Sequence, residues 1–95
     1  MPHDLMKQCE KKKQFLRDGQ KVWEWVFVPV SGLVSGTGRD IRCMHCHGAV
    51  RVHKQQVDHG PVDHVEHRSQ QDSENCKGGV HFKGVHRLST HPIQQ

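Results

Sequence analysis

The segment from Cys43 to Cys76 constrains this chain more than any other. It begins Cys43-Met44-His45-Cys46-His47-Gly48, continues through Asp63-His64-Val65-Glu66-His67, and closes on Asn75-Cys76. A Cys-x2-Cys step lets one tight turn present two thiolates to one ion, with backbone amides facing the sulfurs. Zinc takes four such ligands in a tetrahedron, drawn from thiolate and imidazole. A histidine and a following cysteine would complete the set. The competing reading is three free cysteines among surface histidines.

Composition makes the metal reading the more useful one. The chain has 95 residues, of which 33% are apolar and 5% aromatic, with no tyrosine. One domain of that size buries a limited core, and such domains borrow stability from metals or disulfides. The four cysteines could instead form two disulfides. Against this, no apolar signal-peptide core follows Met1, and thiols of a chain kept in the cytoplasm stay reduced. No apolar run approaches the roughly 20 residues of a membrane span. The expectation is a cytoplasmic protein with no membrane association, acting as a monomer.

The net charge of +4 is modest, but its distribution is uneven. Lys7, Lys11, Lys12, Lys13, Arg17 and Lys21 load the N-terminal part, and no acid follows Glu74. Asp58, Asp63, Glu66, Asp72 and Glu74 lie between these basic parts. Such a bipolar surface can meet an anion such as nucleic acid at its basic ends. Solvated charge that keeps the protein soluble is the plainer alternative.

Three segments are expected: a polar N-terminal segment 1–12, a single zinc-binding domain 13–87 and a C-terminal tail 88–95. In the first, Asp4 could cap a short helix carrying Leu5 and Cys9 on one face. Asp18-Gly19 then predicts a two-residue hairpin turn, because both central positions need positive φ. The arm after it alternates with period two. Trp23, Trp25 and Phe27 share one face, and Val22, Glu24, Val26 and Val28 the other. With so few large apolar residues, the tryptophan face is assigned to the core, the alternative being a platform for stacking bases. Ser31 to Gly38 reads as a loop that lacks the Gly-Lys-Ser/Thr ending of a phosphate loop. The Cys-x2-Cys knuckle is placed at the tip of a β-hairpin, with Gly48 supplying an unusual backbone angle and Val50 and Val52 facing the core.

Pro61 suits the first turn of a helix, and Val62 to Ser73 reads as that helix. His64 and His67 then share one face, so periodicity leaves both open as the fourth ligand. Val80-His81-Phe82 could return as a last strand. The expected fold is α+β: a small zinc-stabilised domain with short antiparallel strands and one helix.

Cys-x2-Cys-His-Gly, then an acidic Asp-His-Val-Glu-His helix and a later cysteine, together resemble the zinc site of the inhibitor-of-apoptosis repeat, where the histidine is helical. The resemblance covers Cys43 to Cys76 and implies the ligand order Cys43, Cys46, His67, Cys76, since Glu66-His67 matches that family's Glu-His pair. The spacers here are longer and the family's core aromatic is missing, so no peptide-binding groove is carried over. The chain also looks like small uncharacterised bacterial zinc-binding proteins. Asp63-His64 followed by Asn75 is similar to part of an HNH nuclease, although the second Cys pair of such folds is absent. Three thiolates with one imidazole make a closed, structural set rather than a catalytic one. The expected function is therefore a non-enzymatic zinc module that binds nucleic acid, with a protein adaptor as the alternative.

Overall fold

The computed structural model describes residues 5–93. The chain opens with a long hairpin. Strand β1 (Gln8–Arg17) pairs antiparallel with β2 (Gln20–Pro29), in a register that sets Arg17 opposite Gln20 and Cys9 opposite Val28. Asp18 and Gly19 turn the chain with φ of 50° and 81°. Two successive positive values match the right-handed twist of the arms, as the Asp-Gly pair implies.

Pro29 ends β2, and a 3-10 turn over Val30–Gly32 follows. Two short strands come next, β3 (Gly36–Thr37) and β4 (Ile41–Arg42), then β5 (Val50–His53) and β6 (His64–His67). A six-residue helix, α1 (Gln70–Asn75), is the one helix among the described residues apart from the 3-10 turn. The strands form two antiparallel sheets of three, ordered β2-β1-β4 and β3-β5-β6. This is the α+β arrangement that the sequence predicts.

The sheets are joined through the start of the chain. Val65 N–H donates to the Met6 carbonyl at 2.9 Å, and Val30 N–H to the Lys7 carbonyl at 2.9 Å. Met6, Cys9, Val28, Val30, Ile41, Val50, Val52 and Val65 are buried together with Cys43, Cys46 and Cys76. Leu5 to Lys12 is thus packed structure. So is part of the C-terminal stretch, where Ser89 N–H donates to the Cys46 carbonyl and Ile93 N–H to that of His47.

Five local expectations are corrected. The N-terminal helix is replaced by β1, which also takes in Lys11 to Lys13; its proposed cap, Asp4, lies outside the described residues. The tryptophan face of the hairpin is not core. Trp23 is 50% exposed and Phe27 69%, while the buried residues of the hairpin, Cys9 and Val28, lie on the opposite face. Small side chains fit where one sheet packs close to the other, and the rings are left outside. The knuckle is not a hairpin tip either, because β4 pairs with β1 and β5 with β3 and β6. It carries the chain from one sheet to the other. The left-handed angle there belongs to His47 (φ 65°), not Gly48. A Cβ on Gly48 would collide with the Asp72 carboxylate and lie 3.2 Å from Ser89 Cβ, so its glycine serves close approach.

The fourth correction is the helix. Residues 64–67 form β6, and α1 starts only after Ser69, whose Oγ accepts from Asp72 N–H at 3.3 Å as an N-cap. The partner strand decides this. Pairing with β5 sets Val65 against Val52 and His67 against Val50 on the core side, which a helix could not do. Finally, Val80 to Phe82 is turn rather than strand.

Candidate metal centre

Three separate pieces of backbone converge on one point. The knuckle between β4 and β5 brings Cys43 and Cys46, β6 brings His67, and the end of α1 brings Cys76. One donor atom from each lies within 4.8 Å of all the others, so the four can hold a metal ion. The three cysteine side chains have no exposed surface. Cys43 Sγ and Cys76 Sγ are 3.6 Å apart. Two thiolates on one tetrahedral ion, with metal–sulfur bonds of about 2.3 Å, would be separated by about 3.8 Å.

Strand geometry separates the two candidate histidines. Successive side chains of a strand point to opposite faces, so residues three apart are on opposite sides. His67 joins the cysteines. His64 faces away, with Nδ1 2.6 Å from the Val62 carbonyl oxygen and Nε2 2.8 Å from Glu66 Oε2. Its ring stacks on His53 with centroids 5.1 Å apart. Of the other histidines, His45 and His86 meet edge to face at 6.5 Å beside the knuckle.

Each sulfur is also met by a backbone amide two residues further on. His45 N–H donates to Cys43 Sγ at 3.3 Å, Gly48 N–H to Cys46 Sγ at 3.4 Å and Gly78 N–H to Cys76 Sγ at 3.4 Å. Amide donors of this kind stabilise negative charge on sulfur. The sequence signal for the last two is a cysteine followed two residues later by glycine. It places Cys76-Lys77-Gly78 as a second half-knuckle, which spacing alone did not reveal. Gly78 is required for packing as well, since a Cβ there would lie 2.5 Å from Met6 Sδ. Met6 Sδ in turn lies 3.8 Å from Cys43 Sγ.

The donor set fits a cation better than it fits itself. Both ring nitrogens of His67 are buried with no hydrogen-bond partner. Unpaired buried polar groups cost free energy, and they mark missing partners. Among the sulfurs, Cys43 is pulled far below the ordinary thiol value because Cys46 and then Cys76 donate to it. Cys46 is pushed far up by the same two contacts, with Cys43 first. One thiolate thus suppresses ionisation of its neighbour. Burial disfavours a charged imidazole at His67, yet the nearby Cys43 and Cys76 sulfurs outweigh it and raise its pKa to about 9. A cluster that traps protons this way is one whose protons a metal ion can replace.

Cys9 stands apart. Burial, and then the charge at Cys43, raise its thiol to about 11. It behaves as a small apolar side chain rather than a reactive one.

Fold and site together define a small α+β domain with a Cys3His cluster able to hold a metal ion. A protein family of uncharacterised type matches residues 2–94, and the chain belongs to that family. No curated protein and no solved structure matches the chain. None of these comparisons shows similarity to the inhibitor-of-apoptosis repeat. The local structure differs from it too, because the histidine that the resemblance places on a helix lies here in β6.

Proposed function

We propose that this chain is a non-enzymatic binding module built around one structural zinc ion, with nucleic acid as its partner. The observation that carries the metal assignment is the buried cluster of Cys43, Cys46, His67 and Cys76, with both imidazole nitrogens unpartnered. Three thiolates and an imidazole suit zinc, and four protein donors leave no position for water or substrate. Zinc bound in this way would contribute folding free energy on the order of 10 kcal/mol. Elemental analysis of chelator-washed protein should return one zinc per chain. Zero zinc, or a second tightly held ion, would refute the assignment.

The nucleic-acid partner is supported by the outer face of the hairpin. Trp23, Trp25 and Phe27 share that face, and the Lys12 ammonium is 5.9 Å from the Trp23 ring centroid and 5.8 Å from that of Trp25. The Arg42 guanidinium is 4.1 Å from the Trp25 ring. Aromatic rings interleaved with cations are what single bases and phosphates require. A protein adaptor is the second reading, favoured by the exposure of Leu16 and Phe27 on the same face. Binding to nucleic acid through Lys and Arg must weaken steeply with salt, whereas an apolar contact should not.

We assign no reaction. The residues that suggested an HNH nuclease are otherwise engaged: His64 is buried with both ring nitrogens in contact with Val62 and Glu66. Asp63 accepts from Gln55 N–H at 2.7 Å and pairs with Lys54 at 2.9 Å.

A further inference from the structure

A cleft of about 620 Å³ opens beside the hairpin, lined by Lys12, Thr37, Gly38, Arg39 and Arg68 among others. No acidic residue lines it. The three cations enter no salt bridge among the described residues, because the acids nearest them in sequence and register are taken. Asp40 is held by Lys11 at 2.7 Å, and Glu10 by Arg42 at 2.6 Å. Lys11 and Lys12 are successive residues of β1, so the Lys11–Asp40 pair lies on the opposite sheet face from Lys12. Three like charges around one opening repel one another, and an anion in the opening relieves that repulsion.

Lys12 joins this cleft to the aromatic face. Its cross-strand partner is Trp25, which Arg42 covers. Trp23 and Phe27 flank that pair on the same face, about 13 Å apart at the usual rise of a strand. The arrangement is a basic opening, roomy enough for a phosphate and its sugar, next to two exposed rings. Exposed rings stack only on bases that are not already stacked and paired in a duplex. The helix α1, at six residues, is too short to read a major groove.

Building on the nucleic-acid reading above, we propose that the ligand is single-stranded: its phosphate sits among Lys12, Arg39 and Arg68, and adjoining bases stack on Trp23 and Phe27. The interaction is purely non-covalent and places the strand across the hairpin.

The test is a tryptophan-fluorescence titration of zinc-loaded protein with a ten-nucleotide oligothymidylate, a duplex of equal length and inorganic polyphosphate. The single strand should bind at least tenfold more tightly than the other two. Arg39→Ala with Arg68→Ala should weaken it about tenfold and reduce the magnitude of the log–log salt slope by about 1.4. Phe27→Ala should weaken it by a factor of about five or more with the salt slope unchanged. Arg87→Ala, away from the cleft, should change the slope by less than about 0.3. Circular dichroism would show that the variants remain folded. Duplex binding equal to single-strand binding, or cleft variants that bind normally, would overturn the single-strand assignment while leaving nucleic-acid binding intact. Polyphosphate binding as tight as oligothymidylate, and unaffected by Phe27→Ala, would likewise overturn it. Folded protein that binds no nucleic acid at low salt would overturn both and leave the aromatic face to a protein partner.

Discussion

Replacing His67 by alanine gives outcomes of different size with and without a metal. In a metal-free cluster the wild-type imidazole is buried with two unpartnered nitrogens. Each such group costs about 1–3 kcal/mol. Alanine would remove that cost, but also the attraction of the imidazole to the Cys43 and Cys76 sulfurs, so stability would change little. If the cluster holds zinc, the same change removes one of four ligands from a site worth on the order of 12 kcal/mol. An equal share is about 3 kcal/mol, or roughly a hundredfold in metal affinity. In a domain of this size that loss corresponds to a fall in Tm of more than about 10 °C. Competition against a chromophoric chelator reads the affinity, and calorimetry of zinc-loaded protein reads the melt. His67→Cys supplies a thiolate at the same point and should recover most of both. His64→Ala, on the opposite face of β6, should lose about 1–2 kcal/mol through its bonds to Val62 and Glu66 while zinc stays bound. A His67→Ala protein that holds zinc as tightly as wild type and melts at the same temperature would refute His67 as a ligand.

Other parts of the structure give independent tests. Gly79→Ala should destabilise by about 3 kcal/mol in urea unfolding, because its Cβ would meet the Ser73 carbonyl oxygen and lie 2.6 Å from Ser73 C and Cα. Phe27→Ala should change unfolding by less than about 1 kcal/mol despite the lost ring, since the side chain is on the surface. Cys9 titrates near 11 when folded and near 9 when unfolded, so its stabilisation is complete below pH 9 and lost as pH rises towards 11. Unfolding measured across that window should show a decline that Cys9→Ala makes shallower. Hydrogen bonding from Lys11 holds the Asp40 carboxyl below 3.8. Its contribution is present above that value and fades as pH falls through the lowered pKa. In Lys11→Met, the carbon-13 titration of Asp40 should move up towards the ordinary carboxyl range.

What could be read from the sequence was what is local. The Asp18-Gly19 turn and the knuckle depend on residues a few positions apart, and both form at those residues, although the knuckle links two sheets rather than ending a hairpin. The stretch from Val62 to His67 could not be read this way. Val62 with Val65 and His64 with His67 fit a helical spacing, while Val65 with His67 fits a strand equally well. The choice is made by β5, more than ten residues upstream, whose Val50 and Val52 need partners across the ladder. Alternation in β2 likewise showed that two faces exist without showing which one is covered. That depended on the second sheet, which packs its valines against Cys9 and Val28.

The absence of aromatic residues from the core connects the two halves of the proposal. Among the described residues the buried cluster consists of valines, one isoleucine, one methionine and the cysteines. Such a core gains little from hydrophobic burial for 95 residues. A chain under selection for stability alone would turn its tryptophans and phenylalanines inward, since each buries more apolar area than a valine. Here Trp23, Trp25 and Phe27 line the outside of the hairpin, beside Lys12 and Arg42. Three of the four cluster donors come from loops and a helix end, and the fourth from a strand. One ion at that point would tie both sheet crossings and α1 together without any large side chain. A metal in the core would thus allow the rings to remain on the surface, where they can meet a ligand.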